Sequence, residues 1–427
     1  GTIKLDGNYP TGTENVALGN AALDDGSLSG DYNTAIGNNS LTANTSGNRN
    51  VGVGDGSLEG NTTGANNVAV GRAAVDANTT GSFNVGIGTS ALGANTTASN
   101  NVGVGYFALT ANTTGTDNVA VGSNALDANT TGNDNTGIGD NALGANTTGR
   151  DNTAVGSNAL GANTDAVENT AVGVGSLATN TTGDDNVAVG YQALNDNTTG
   201  SNNVAIGSAA LDVATTAANN TAVGFAALGA TTTAGGNTAV GSVALNDNTT
   251  GAENTAVGQN AMGLNTTGSS NVAVGQGALE SNTTAGQNTS VGHDSMKSNT
   301  TGAENVAVGK GALNANTEGN YNIAIGRSAL VLNTTGAQNV AIGYQALDAN
   351  TDQSNITAVG NTALSANTSG QRGTAVGSAA LAANTTGDYN TAVGFTALQA
   401  NTTADNNTAL GYAALTANTT GYDNVAV

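Results

Sequence analysis

Apolar and polar positions recur along this chain with a single period. Taking the Asn that precedes VAVG or TAVG as position one, units begin at Asn15, Asn33, Asn50, Asn67 and Asn84 and continue in steps of seventeen to Asn424; only the first step is eighteen. Ile356 and Gly373 replace that Asn without any slip in spacing. The consensus unit is N-[VT]-A-[VI]-G-x-x-A-L-x-x-N-T-T-G-x-x. A fixed period of this length is the signature of a repeat architecture, in which each unit covers the apolar face of the next.

The columns of the repeat predict the coil. Position four is apolar in every unit, and position nine is Leu with Val75, Met262 and Met296 as exceptions. These two columns are the expected core, with Val189 and Ile206 representing the first and Leu194 and Leu211 the second. Position two is Val, Ile or Thr, residues that suit a pleated strand. Side chains alternate along a strand, so positions two and four share one face and position three takes the other. Gly at position five suits a corner that needs positive φ or close backbone approach. Two or three short strands per unit, separated by Gly- and Asn-rich corners, describe one turn of an all-β parallel β-solenoid of about 25 coils. Residues 1–14 precede the array as an N-terminal segment, and residues 15–427 form it. Stacking at ~4.8 Å per coil would give a length on the order of 120 Å. Asn at positions one and twelve and Thr at thirteen and fourteen are expected to form ladders from coil to coil.

Composition agrees with an array rather than a layered core or a disordered tract. The 427 residues include 63 Gly, one Pro, no Cys and no Trp, and the apolar content is mostly Ala, Val and Leu placed periodically. No apolar run is long enough to span a bilayer. A net charge of −22 with only eight Lys plus Arg argues against nucleic acid and anionic membranes as partners.

Units such as NVAVGYQAL (Asn186 to Leu194) and NTAVGSNAL (Asn152 to Leu160) resemble the head repeats of trimeric autotransporter adhesins and related phage and bacterial surface fibres. The resemblance covers essentially the whole chain. It implies a left-handed parallel β-roll, an extracellular or cell-surface location, homotrimeric or filamentous assembly, and attachment to a host or environmental surface. The repeat is longer here than in those heads, with the added residues enlarging the turn around NTTG.

Column three points independently to assembly. It holds Ala, Gly or Ser in every unit although it should face away from the core, so Ala188, Ala205 and Ala222 mark an expected packing face for another chain. Reversed parity leads to the same end, because the Val column would then be an exposed apolar stripe. The chain closes near a whole number of coils, so the strand-like residues Thr2, Ile3 and Leu5 are expected to complete the last coil of a neighbour through Val425 and Val427.

Candidate chemistry is sparse. His293, the only His, sits in the variable sixth column and has no nucleophile to serve, so no enzyme activity and no cofactor are expected. Asp184-Asp185-Asn186 and Asp134-Asn135 offer oxygen ligands, but the G-G-x-G-x-D pattern of calcium-binding coils is missing and no metal site is assigned. The hexapeptide acyltransferase pattern needs a coil of eighteen residues, and β-helical lyases need long inserted loops. NTT and NTS at Asn44, Asn61 and Asn78 fit the N-glycosylation pattern, while serving equally as corner and ladder residues. Tyr106, Tyr191, Phe225, Tyr344, Phe395 and Tyr412 in column six offer stacking surfaces for sugars. The expected function is that of a structural or adhesive extracellular fibre that self-associates. The alternative is an ice- or carbohydrate-binding solenoid that uses its Thr and Asn ladders.

Overall fold

The computed structural model describes residues 12–427. It is an all-strand parallel β-solenoid of 25 strands and about 24 turns with a 17-residue repeat, and it has no helix among the described residues. The chain forms two compact units, Gly1–Ala217 and Ala218–Val427. The first holds strands β1 (Val16–Leu18) to β12 (Val204–Ile206), and the second β13 (Thr221–Val223) to β25 (Val425–Ala426). Within each unit neighbouring strands pair without stagger. In the first, Val187, Ala188 and Val189 of β11 lie beside Val204, Ala205 and Ile206 of β12. In the second, Thr374, Ala375 and Val376 lie beside Thr391, Ala392 and Val393. Equal coil lengths bring identical positions level with each other.

Each coil carries one strand, of three residues except for the two of β25, instead of the two or three strands expected. The backbone explains why. After the strand, Gly190 takes φ 139°, and Gln192 and Leu194 follow at 52° and 53°; Asp185 precedes it at 58°. In most coils three non-glycine residues, at positions seven, nine and seventeen, thus occupy a region that costs side-chain-bearing residues of order 1–3 kcal/mol each, and Gly takes position seven at Gly56, Gly175, Gly277 and Gly311. The Leu of position nine gains burial in return, about 1.5–3 kcal/mol for a side chain removed from water. Its N–H also donates to the next coil, as Leu194 N does to Ala210 O at 2.9 Å. Beyond the strand the ladder continues through single bonds of this kind, such as Thr181 N to Thr198 O at 2.9 Å.

The interior is lined by positions one, three, eight, nine, twelve and fifteen. Leu194, Leu211, Ala188, Ala205 and Ala222 are all fully buried. Val189 is half-exposed and Ile206 is 40% exposed. The expected parity is therefore corrected: position three faces inward and position four outward, so Val189 and Ile206 are not core residues and the Ala column is not an assembly face. Column three is small because the Leu of the preceding coil packs on it. A Cβ on Gly103 would lie 3.3 Å from Leu92 Cγ and 3.1 Å from Ala108 O. A coil this narrow has room for one large side chain, and position nine supplies it.

In the eighteen-residue first coil, the extra residue falls at the corner. Leu28 is buried there and its N–H reaches Asp25 O at 3.2 Å, taking the place that Asn holds at position twelve in the coils that follow. Thr2, Ile3 and Leu5, the expected end-joining residues, lie outside the described residues. Their expected counterparts Val425 and Val427 are exposed in the last coil.

Candidate interaction faces

Strand alternation sends positions seventeen, two, four and six of each coil to one outward face. Its two central columns contain only Val, Ile, Leu and Thr, with no charged residue in any coil. Val70, Ile87, Ile138 and Ile206 in the first unit and Val240, Ile325 and Ile342 in the second are 36–40% exposed. No element of either unit covers them. Apart from Val174 and Gly236, the two outer columns are polar, charged or aromatic: Arg49, Asp117, Asp134, Asp151, Glu168, Asp185 and Glu304 stand at position seventeen, and Asp55, Tyr191, Lys310, Arg327 and Tyr344 at position six. An apolar centre with a polar rim is the usual anatomy of a protein–protein contact.

The NTTG corner is built differently from its appearance in sequence. Asn186 at position one donates from Nδ2 to Gly200 O at 2.9 Å across its own coil, and Asn197 at position twelve donates to the same carbonyl at 2.9 Å. Each ladder also runs between coils. Asn197 Nδ2 reaches Asn180 Oδ1 at 2.8 Å, and Asn186 N reaches Asn169 Oδ1 at 3.0 Å. The second unit repeats the arrangement around Gly268 O, with Asn254 at 2.8 Å and Asn265 at 3.0 Å. Both Asn columns are buried along most of their length, and their amides are engaged inside except at Asn350 Oδ1 and Asn407 Nδ2, which are buried without a partner. The ladder of column one is interrupted at Ile356, whose buried side chain has no amide to pass on.

These placements decide several readings. Asn44, Asn61 and Asn78 fit the glycosylation pattern, but Asn61 Nδ2 donates to Asn44 Oδ1 at 2.9 Å and Gly64 O at 3.0 Å with no exposure. A folded coil has no space for a glycan on that nitrogen. The Thr hydroxyls of position thirteen are also used, donating to the carbonyl of the same position in the next coil, as from Thr181 to Thr198 O at 2.9 Å. The Thr of position fourteen, such as Thr63, Thr182 and Thr199, stands exposed, whereas position thirteen is half-buried in most coils and exposed at Thr351, Thr368 and Thr419. Of the ladders expected to meet an outside ligand, the column of position fourteen is the one that faces outward regularly.

Charged groups are scattered over positions six, ten, sixteen and seventeen among others. Asn186 and Asn135 point inward, so Asp184-Asp185-Asn186 and Asp134-Asn135 do not converge on one point. Among the described residues no group of three His, Cys, Asp or Glu is arranged to hold a metal ion. His293 Nδ1 lies 3.0 Å from Asp294 Oδ2 at the surface, and Lys297 bridges Asp294 at 3.2 Å and Glu280 at 3.3 Å. The hydrogen bonds that the Lys297 ammonium donates to Asp294 and Glu280 hold it above its usual pKa. Burial raises the carboxyls of Asp76, Asp127, Asp212 and Asp348 at position ten. A shallow groove of about 360 Å³ opens in the second unit where Gly263 leaves position ten empty between Asn246 and Glu280. Among the column-six aromatics, Phe395 and Tyr412 stack with ring centroids 5.6 Å apart, and Tyr106 lies against Phe107 at 4.1 Å. Arg49 over Tyr32 and Arg327 over Tyr344 add cation–π contacts at 5.3 and 5.9 Å.

Sequence reasoning missed one further element, the side-chain oxygens of position sixteen. Asp184 Oδ1 accepts from Val167 N at 2.8 Å and Ser201 Oγ from Asp184 N at 3.0 Å, capping a backbone donor of the coil before. The column's recurrent Asp, Asn and Ser are its trace in the sequence. No family model matches the chain, and no curated protein matches its sequence.

Proposed function

We propose that this protein is an extracellular structural or adhesive fibre protein, comparable to the heads of trimeric autotransporter adhesins, that self-associates and presents its repeated outer side chains for attachment. The observation that carries this reading is the uncharged, partly exposed pair of columns at positions two and four, on a chain with a net charge of −22. Within each unit, a partly exposed column that is apolar in coil after coil marks an interaction surface. At ~4.8 Å per coil and ~3.3 Å per residue, the four-column face of a twelve-strand unit measures on the order of 1,000 Å², above the roughly 800 Å² per partner of a standard stable interface. The variable outer columns then differ from coil to coil without disturbing the fold, which suits repeated presentation.

Light scattering of the purified protein tests the reading. The parent should run as a multi-chain particle. Replacing both Val189 and Ile206 with Lys should shift it toward single chains while its circular dichroism stays unchanged, because both side chains point outward. A parent that is already a single chain at micromolar concentration sinks the proposal.

A further inference from the structure

The charge pattern of the rim selects one direction of packing. We infer that two copies associate along the strand face with their coils stacked in the same direction and level with each other, so that the position-seventeen residue just before a strand in one copy meets the position-six residue just after the same strand in the other; this rests on the self-association proposed above. The occupant of the face is a second copy of this chain.

The geometry leaves two ways to bring a pair of these faces together. A copy turned about an axis parallel to the direction of coil stacking keeps that direction and reverses the facing strands, setting column seventeen against column six. A copy turned about the strand direction reverses the stack, setting column seventeen against seventeen and six against six. The rim residues distinguish them. In the segment Glu304 to Lys310 the outward residues are Glu304, Val306, Val308 and Lys310, acidic at one end and basic at the other. The segment Arg49 to Asp55 has the opposite polarity with the same logic. Either segment complements a copy of itself only when the two strands run in opposite directions at the same level. Tyr321 and Arg327 at the ends of a third segment would meet as a cation–π pair.

The reversed stack fares worse in both units. In the first, Asp117, Asp134, Asp151, Glu168 and Asp185 would face a column whose only basic member is Arg49. In the second, Lys310 and Arg327 would face a column six that contains no acid. The same-direction arrangement brings one like-charged pair together, Asp134 with Asp140. Among the described residues, Arg49, Asp55, Glu304 and Lys310 make no ion pair within the chain, and all four are exposed.

Thiol cross-linking tests the direction, since the chain has no Cys of its own. Positions seventeen and six of one segment are roughly 20 Å apart along the extended backbone, too far for a bridge within one chain. Glu304→Cys and Lys310→Cys proteins, refolded together and oxidised, should give a disulfide-linked pair, and each refolded alone should give little. Glu304→Cys with Tyr344→Cys, two coils and roughly 10 Å out of level, should also give little. Equal linking of the shifted pair, or dominant self-linking of a single variant, overturns the inference. In parallel, Glu304→Lys and Lys310→Glu should each weaken association about two- to five-fold, and the double exchange should restore it; failure of the double exchange to recover counts against the pairing. A multi-chain parent with the wrong cross-links defeats this inference alone, whereas a single-chain parent defeats the self-association reading as well.

Discussion

At the scale of residues, position five is the least tolerant place in the coil. Gly190 combines φ 139° with a neighbour so close that an added Cβ would lie 2.5 Å from Gly207 O. Gly190→Ala should therefore lower stability by several kcal/mol, read as an earlier thermal transition. The two apolar columns should now separate cleanly. Leu194→Ala empties the one large site in its coil and should cost about 2–5 kcal/mol, whereas Val189→Asp should leave the melting curve nearly unchanged and act on association instead. A severe loss from Val189→Asp would show that the column is packed from within. The buried Asn of position twelve carries its own expectation: chain produced in a glycosylating secretory host should be glycan-free in its folded, protease-resistant fraction. Mass spectrometry of that fraction decides the point, and a glycan on Asn61 in it would contradict the buried ladder.

At the scale of the element, a coil is held by bonds to the coils before and after more than by its own three-residue strand. Asp184 and Ser201 each cap a donor of the preceding coil, so Asp184→Ala or Ser201→Ala should cost about 0.5–1.5 kcal/mol and speed amide exchange at Val167 or Asp184, respectively. The position-ten carboxylates set a pH dependence. Burial raises Asp76, Asp127, Asp212 and Asp348 in the folded state, so their neutral forms are favoured there. Their contribution is fully present below the unfolded pKa of about 3.9 and is lost as pH rises through the raised folded values. Asp25 and Asp31 are lowered by hydrogen bonds to Ser27 and Thr13 and act in the opposite direction at the surface. The melting temperature should fall as pH rises above about 4. Replacing Asp76, Asp127 and Asp348 together with Asn should flatten that fall; an unchanged slope would assign it to general charge repulsion.

At the scale of the whole molecule, the unit of change is the coil. Removing residues 186–202 joins Asp185 to Asn203 and restores the same column order, so this seventeen-residue deletion should fold with little change in melting temperature or in β-type circular dichroism per residue. Deleting Ala188 alone should do more damage, because it turns Val189 inward onto a Leu that leaves room only for a methyl group. The first coil shows where a single residue can be absorbed: at the position-twelve corner, where Leu28 replaces the ladder Asn.

The sequence by itself determined the period, the solenoid, the Leu core at Leu194 and Leu211 and the existence of Asn ladders, because stacked identical positions repeat their chemistry and a seventeen-residue column is visible without coordinates. It left open which side of the strand faces inward. Val189 and Ala188 alternate under either parity, and hydrophobicity alone favours burying the larger residue. Tertiary structure decided otherwise, because positive φ at positions seven and nine brings the Leu back across a coil too narrow for a second branched side chain. The same closure drew the NTT asparagines inside and used their amides, which no triplet pattern reports. It also placed columns seventeen, two, four and six on one outward face, turning residues that read as variable spacers into the rim of a surface.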